Sequence, residues 1–139
     1  MKKVFFIALI INFLSACGIA SFEDVTSVKE YNSLVKQRYI LIKELKIHST
    51  SLDKKIKELH DFLITKPPGI GGREILWQKT LPIGTILDVR KVERCADCMF
   101  MSRYRVKLNL PFSNEYEIAP VYIDFELLVE NKEYIQSIK

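Results

Sequence analysis

The chain predicts an α+β domain dominated by a small antiparallel β-barrel or a strongly twisted sheet, with one or two short N-terminal helices. Three observations carry that prediction. From Glu74 onward, short runs rich in β-branched and aromatic residues are separated by Pro, Gly and Asn turns. Within them Tyr104, Val106, Leu108 and Leu110 alternate with Arg103, Arg105, Lys107 and Asn109, the period of a strand with one face in a core. Before Glu74, apolar residues recur instead at spacings of three and four over 22–37 and 51–64, the period of a helix.

The chain opens on the basic Met1-Lys2-Lys3, then an apolar run from Val4 to Leu14, then Leu14-Ser15-Ala16-Cys17. Basic, apolar and small-residue regions in that order make a secretory signal peptide. A membrane-spanning helix needs about 20 apolar residues. This run is too short for one, and Asn12 interrupts it. Leu14-Ser15-Ala16-Cys17 resembles the lipobox of bacterial lipoproteins at every position. The resemblance implies cleavage before Cys17, a diacylglycerol thioether on its sulfur and acylation of the new amine. One acyl chain anchors a protein marginally, and two or more hold it firmly. Gly18 is similar to the residue after the cysteine in outer-membrane-sorted lipoproteins, where an aspartate marks inner-membrane retention.

The expected organisation is a signal peptide over 1–16, a lipidated cysteine and short tether over 17–21, and one globular domain over 22–139. At about 3.6 Å per residue the tether spans no more than roughly 15 Å, which keeps the domain beside the membrane. Loss of Lys2 and Lys3 takes the 21 basic residues to 19 against 17 acidic ones, a charge of about +2. So balanced a chain, once exported, argues against a nucleic-acid partner. The remaining length suits one compact domain with its own core.

Taken in order, 22–37 predicts a helix, with Phe22, Val25, Val28 (or Tyr31) and Val35 on one face. Ser21 is a suitable N-cap, and Glu23 and Asp24 suit the positive first turn. Residues 39–47 predict a strand, with Tyr39, Leu41, Leu45 and Ile47 on one side. Leu52, Ile56, Leu59 and Leu63 predict a second helix over 51–64, opened by Thr50 and Asp53 in a capping-box arrangement. Pro67-Pro68 stops it. Pro67-Pro68-Gly69 predicts a type II turn, Pro68 giving the fixed φ and Gly69 the positive one; Gly71-Gly72 prolong the loop. The loop lacks the Gly-x-x-x-x-Gly-Lys-Ser/Thr pattern that cradles phosphate.

Strands are predicted over 75–77, 85–94, 99–110 and 116–129, with turns at 81–84, 95–98 and 111–114. In the last strand Val121, Ile123, Phe125, Leu127 and Val129 face one way, Asp124 and Glu126 the other. The stretch Leu81-Pro82-Ile83-Gly84-Thr85-Ile86-Leu87-Asp88-Val89 resembles the opening of small bacterial SH3-like barrels. With 67–74 in front of it, it is similar to small envelope lipoproteins of proteobacteria. The resemblance spans about 39–129 and implies partner binding through loops and edges. It brings no catalytic residues. The two predicted helices depart from a plain five-stranded barrel.

With Cys17 lipidated, Cys95 and Cys98 remain as an even pair in an oxidising compartment, which predicts a structural disulfide at a hairpin end. Two other readings use the same pair. Thiol–disulfide exchange wants a thiol at a helix N-terminus, whereas this motif joins two predicted strands. Zinc wants four ligands, and His48 and His60 are distant in sequence and oddly spaced. No metal and no cofactor are expected.

Arg90, Lys91, Arg94, Arg103, Arg105 and Lys107 form a basic cluster. Pairing with Asp88, Glu93, Asp124 and Glu126 on neighbouring strands accounts for it; attraction to anionic headgroups or lipopolysaccharide phosphates is the alternative. Trp77, Phe100 and Tyr104 supply either core or an aromatic site. No Gly-x-Ser-x-Gly elbow and no acid–base pair can be located.

The expected function is a non-catalytic binding or structural module of the envelope, lipid-anchored in the outer membrane and facing the periplasm. Its expected partner, besides the membrane, is another envelope protein. The candidate binding residues are Pro67, Pro68, Gly69, Gly71, Gly72, Arg103 and Arg105. A thiol–disulfide protein using Cys95 and Cys98, or a lipid- or lipopolysaccharide-contacting protein, is the alternative.

Overall fold

The computed structural model describes residues 21–51, 59–98, 103–110 and 119–138. The lipobox with Cys17, Leu52 and Ile56 of the second predicted helix, Phe100, and the turn at 111–114 lie outside the described residues. Strands β1 (Phe22–Asp24), β2 (Arg38–Leu41), β3 (Leu45–Ser51), β4 (Leu59–Thr65) and β5 (Ile75–Leu81) come first. After them come β6 (Ile86–Cys95), β7 (Tyr104–Asn109), β8 (Val121–Asp124) and β9 (Ile135–Ile138). The helices are short: α1 (Lys29–Asn32), a 3-10 turn (Leu34–Lys36) and α2 (Phe125–Val129). Among the described residues none is long and apolar enough to cross a membrane.

The described strands form one sheet in the order β5-β3-β4-β8-β7-β6-β2-β9, with β1 added beside the end of β6. All these pairs are antiparallel except β4 with β8, which is parallel. The α+β, sheet-dominated class expected from the sequence is therefore the one observed. Apolar alternation builds the core. Ile47, Ile64, Ile123, Val106 and Val92 make one row across five strands, none more than 1% exposed.

The sheet curls. Along the hydrogen-bonded path β3, β4, β8 and β7 lie between β5 and β6, yet a short turn joins β5 directly to β6. In that turn Gly84 N–H donates to Leu41 O at 2.8 Å, and Leu41 N–H donates to Thr85 O at 3.0 Å. Gly84 has φ +87°, which the absence of a Cβ permits. Among the described residues the path stays open, with β5 and β9 at its ends.

Several local expectations are corrected. Residues 22–37 are not one helix: Phe22–Asp24 pairs with β6, and Asp24 Oδ1 then accepts from Thr26 N–H at 2.9 Å, a side-chain turn that breaks helical phasing. The strand expected over 39–47 is two strands separated by a bend at 42–44, although Tyr39, Leu41, Leu45 and Ile47 are all buried. Within the second predicted helix, Leu59–Thr65 is a strand, with β3 on one edge and β8 on the other. Ladder bonds on both edges and burial of Phe62 and Ile64 outweigh a local helical pattern.

The Pro67-Pro68-Gly69 turn closes one residue earlier than a type II turn would. Gly69 N–H donates to Lys66 O at 2.9 Å across a cis Pro67–Pro68 bond, and Gly69, with φ +102°, follows the two prolines. The strand expected over 116–129 ends at Asp124. There Oδ1 accepts from Glu126 N–H at 2.8 Å and Leu127 N–H at 3.3 Å, capping α2. Strand β9, which no sequence signal had indicated, pairs with β2.

Candidate functional site

The rows that alternate with the buried one form a polar face. One runs His48, Leu63, Tyr122, Lys107, Lys91; the next runs Asp124, Arg105, Glu93, Asp24. A groove of about 1440 Å³ opens here, lined by Phe22, Glu93, Arg105 and Tyr122 from the sheet and by Glu126 and Glu130 from α2 and its C-cap.

Arg105 is its most constrained side chain. The guanidinium carbon lies 3.5 Å from the Phe22 ring centre and 3.7 Å from the Tyr122 ring centre, so the planar head is sandwiched between π faces. Its Nε donates to Glu93 Oε2 at 2.8 Å. The Glu93 side chain is 10% exposed, and Lys91 Nζ lies 3.7 Å from its other oxygen and 3.4 Å from Asp24 Oδ2. A carboxylate so desolvated needs such partners. Burial pushes the Tyr122 phenol up, against the pull of the Arg105 charge. The ring stays neutral and keeps its face for the guanidinium. Neither Nη of Arg105 donates to a described residue, although the side chain is 24% exposed.

The loop after β4 covers a second part of the same face. His48 is fully buried, with Nε2 at 2.8 Å from Thr65 Oγ1 and Nδ1 without a hydrogen-bond partner among the described residues. Gln78 Nε2 donates to Pro68 O at 3.3 Å. A Cβ on Gly69 would lie 2.8 Å from His48 Cε1 and 2.5 Å from Gln78 Oε1, so the loop closes over the imidazole only with glycine there. Burial first, and the Lys46 charge second, hold the His48 pKa below its ordinary 6.5. Pro67, Pro68, Gly71 and Gly72 are exposed, and Ile70 gives the loop an apolar point.

Cys95 and Cys98 are disulfide-bonded, and Cys95 is buried. Their turn grips the start of the described chain. Ala96 N–H donates to Ser21 O at 2.9 Å, and Ser21 Oγ donates to Asp97 Oδ2 at 2.7 Å. Strands β4 and β6 run in the same direction with β8 and β7 between them. The proline–glycine loop and the disulfide turn therefore leave the sheet at the same end.

Of the expected binding residues, Arg105 lies in the groove. Pro67, Pro68, Gly69, Gly71 and Gly72 follow Lys66, which also lines it. Arg103 is exposed beside the disulfide turn, its carbonyl accepting from Cys95 N–H at 2.7 Å. Three of the six residues of the basic cluster, Lys91, Arg94 and Arg105, are paired with described acids, two of them with acids the sequence had assigned to a helix. Arg94 Nη2 meets Glu23 at 2.8 Å and Lys91 meets Asp24, whereas Asp88, expected as a partner of the cluster, is taken by Arg38 at 2.9 Å.

The aromatic candidates separate. Trp77 stacks near Phe62 at 5.6 Å, whereas Tyr104 joins Tyr31 at 5.5 Å and Phe125 at 6.0 Å. The hydrogen bond to Tyr104 pushes the Tyr31 phenol up to about 12. Among the described residues no three His, Cys, Asp or Glu side chains converge for a metal ion.

Phe22 and Tyr122 were missed as site residues. The available signal was an aromatic at position 122, on the polar side of an alternating strand. Comparison of the chain with protein-family models, with curated proteins and with solved structures gave no match.

Proposed function

We propose that this protein is a lipid-anchored envelope module, not an enzyme, that binds a protein or peptide partner in the groove beside Arg105. The observation that carries the reading is the guanidinium fixed on both faces and at Nε, with its outer edge unpaired among the described residues. A groove of about 1440 Å³ gives such a ligand room. Anchoring rests on the lipobox ending in Cys17 and on Gly18, which point to the outer membrane and its periplasmic side. Burial of Cys95 and the grip of the disulfide turn on Ser21 favour a structural bond over thiol–disulfide exchange. The SH3-like likeness supports recognition through loops and edges. Under it, the turn between β5 and β6 and the proline–glycine loop are secondary contact surfaces.

One observation favours a second reading, contact with anionic headgroups. Arg103 is exposed beside the turn that holds Ser21, a residue within roughly 15 Å of the lipidated cysteine by chain length.

Two measurements test the reading. Labelled palmitate should enter the wild-type chain and not Cys17→Ser. Affinity capture of the full chain from its own envelope should recover a partner that is lost when Glu126 and Glu130 are both changed to arginine. Unlabelled wild-type protein removes the anchor, and unchanged capture removes the groove.

A further inference from the structure

Resting on the groove as the binding surface, the donors and acceptors left over in it specify the chemistry of the ligand. Arg105 has five N–H donors. Nε is taken by Glu93, the two π faces are taken by Phe22 and Tyr122, and the Nη1–Nη2 edge has no partner among the described residues. Sandwiching fixes the plane of the head, and the Glu93 bond fixes its rotation. The outer edge is therefore a preorganised fork with the spacing of a carboxylate.

The groove around the fork is acidic. Six carboxylates line it, against Lys66, Arg105 and Lys132. Three of the six are already occupied: Glu93 by Arg105, Asp124 by the N-terminus of α2, and Glu133 by Lys43. Asp61 Oδ1 accepts from the Thr50 hydroxyl, while Glu126 and Glu130 are exposed and form no ion pair with a described residue. A dianionic phosphate on the fork would face that surplus of negative charge. A single carboxylate whose carrier also bears an ammonium group meets both signs.

We propose that the outer edge of Arg105 takes the carboxylate of a zwitterionic peptide whose ammonium group lies against Glu126 and Glu130. The ligand is thus a peptide segment with a free carboxylate and a nearby amine, not a phosphorylated or purely anionic one.

The test is titration of the full-length protein in detergent with N-acetyl-Ala-Lys-Ala as the free acid, its C-terminal amide, and the analogue with norleucine for lysine. The amide should bind at least about tenfold more weakly than the acid, the loss of a charge-assisted bidentate contact. The norleucine peptide should bind several-fold more weakly. Arg105→Lys should weaken the acid to the level of the amide, and Glu126→Gln combined with Glu130→Gln, two exposed changes, should abolish the preference for lysine. Equal binding of acid and amide overturns the inference. So does inorganic phosphate displacing the acid at equal concentration, or no saturable binding of any peptide at millimolar concentration. If envelope capture still depends on Glu126 and Glu130 while the peptides fail, the groove stands and the carboxylate chemistry falls. If capture ignores the groove, both fall.

Discussion

Ser21 Oγ donates to Asp97 at 2.7 Å across 76 residues of sequence, so the first described residue is fastened to the turn that Cys95 and Cys98 close. A loop this short adds little entropy loss to the unfolded chain, about 2 kcal/mol in the chain-entropy picture. Replacing both cysteines with serine should therefore cost no more than about 2 kcal/mol by urea unfolding. Hydrogen exchange should accelerate selectively at Ala96 and Val25, whose amides donate to Ser21 O and Val92 O. A fully unfolded variant would contradict this.

His48 gives a pH dependence of known sign. Its folded pKa is depressed below 6.5, so the unfolded chain takes the proton more readily. The stability held in the neutral imidazole is whole above pH 6.5 and is lost as pH falls below that toward the folded value. Urea unfolding of wild type and His48→Gln, compared between about pH 7.5 and 5, should show the wild type losing more stability on the acid side. Parallel curves would exclude His48 as the source.

Gly69 and Gly71 should behave oppositely although both lie in one loop. Gly69→Ala meets a positive φ and two close side chains and should cost about 2 kcal/mol or more. A Cβ on Gly71 would meet no described residue beyond its chain neighbours within 4 Å, so Gly71→Ala should shift stability by less than about 0.5 kcal/mol. Thermal melts of the two variants decide it.

The pair Glu93–Arg105 is partly shielded, with side chains 10% and 24% exposed. A double-mutant cycle with Glu93→Gln and Arg105→Gln should return a coupling of about 1–2 kcal/mol, above that of an exposed pair. The same cycle on Arg94 and Glu23, both more than half exposed, should return a smaller coupling.

Asp124 should report on the switch from strand to helix. Asp124→Ala removes both bonds to the first turn of α2 and should cost about 1 kcal/mol, while Asp124→Asn retains most of the cap. Equal losses in the two would show that charge, and not capping, matters there.

Strands bounded by Pro, Gly or paired cysteines were legible in the sequence: β6 and β7 fall within a residue of the expected 85–94 and inside 99–110, while β5 starts at Ile75 as expected but runs on to Leu81 instead of ending at Trp77. Those whose state depends on distant partners were not. Leu59 and Leu63 carry a helical spacing, and only the joint presence of β3 and β8 makes that segment a strand. Phe125, Leu127 and Val129 continue the alternation of Val121 and Ile123, so the onset of α2 shows only in the capping capacity of Asp124. The Arg105 site needed Phe22 to leave its apparent helix and lie against β6, and no local pattern announces that. Arg105 and its acidic neighbour Glu93 were in view, but not the two rings that hold the guanidinium.

The parallel seam between β4 and β8 has a consequence for biosynthesis. During translation β4 waits with one edge open while β5, β6 and β7 are made, because its second neighbour comes last of these. Contacts between segments so far apart raise contact order and slow closure. A chain with this wiring completes its sheet in one late step, once β8 has joined the open edge of β4, and not strand by strand in the order of synthesis.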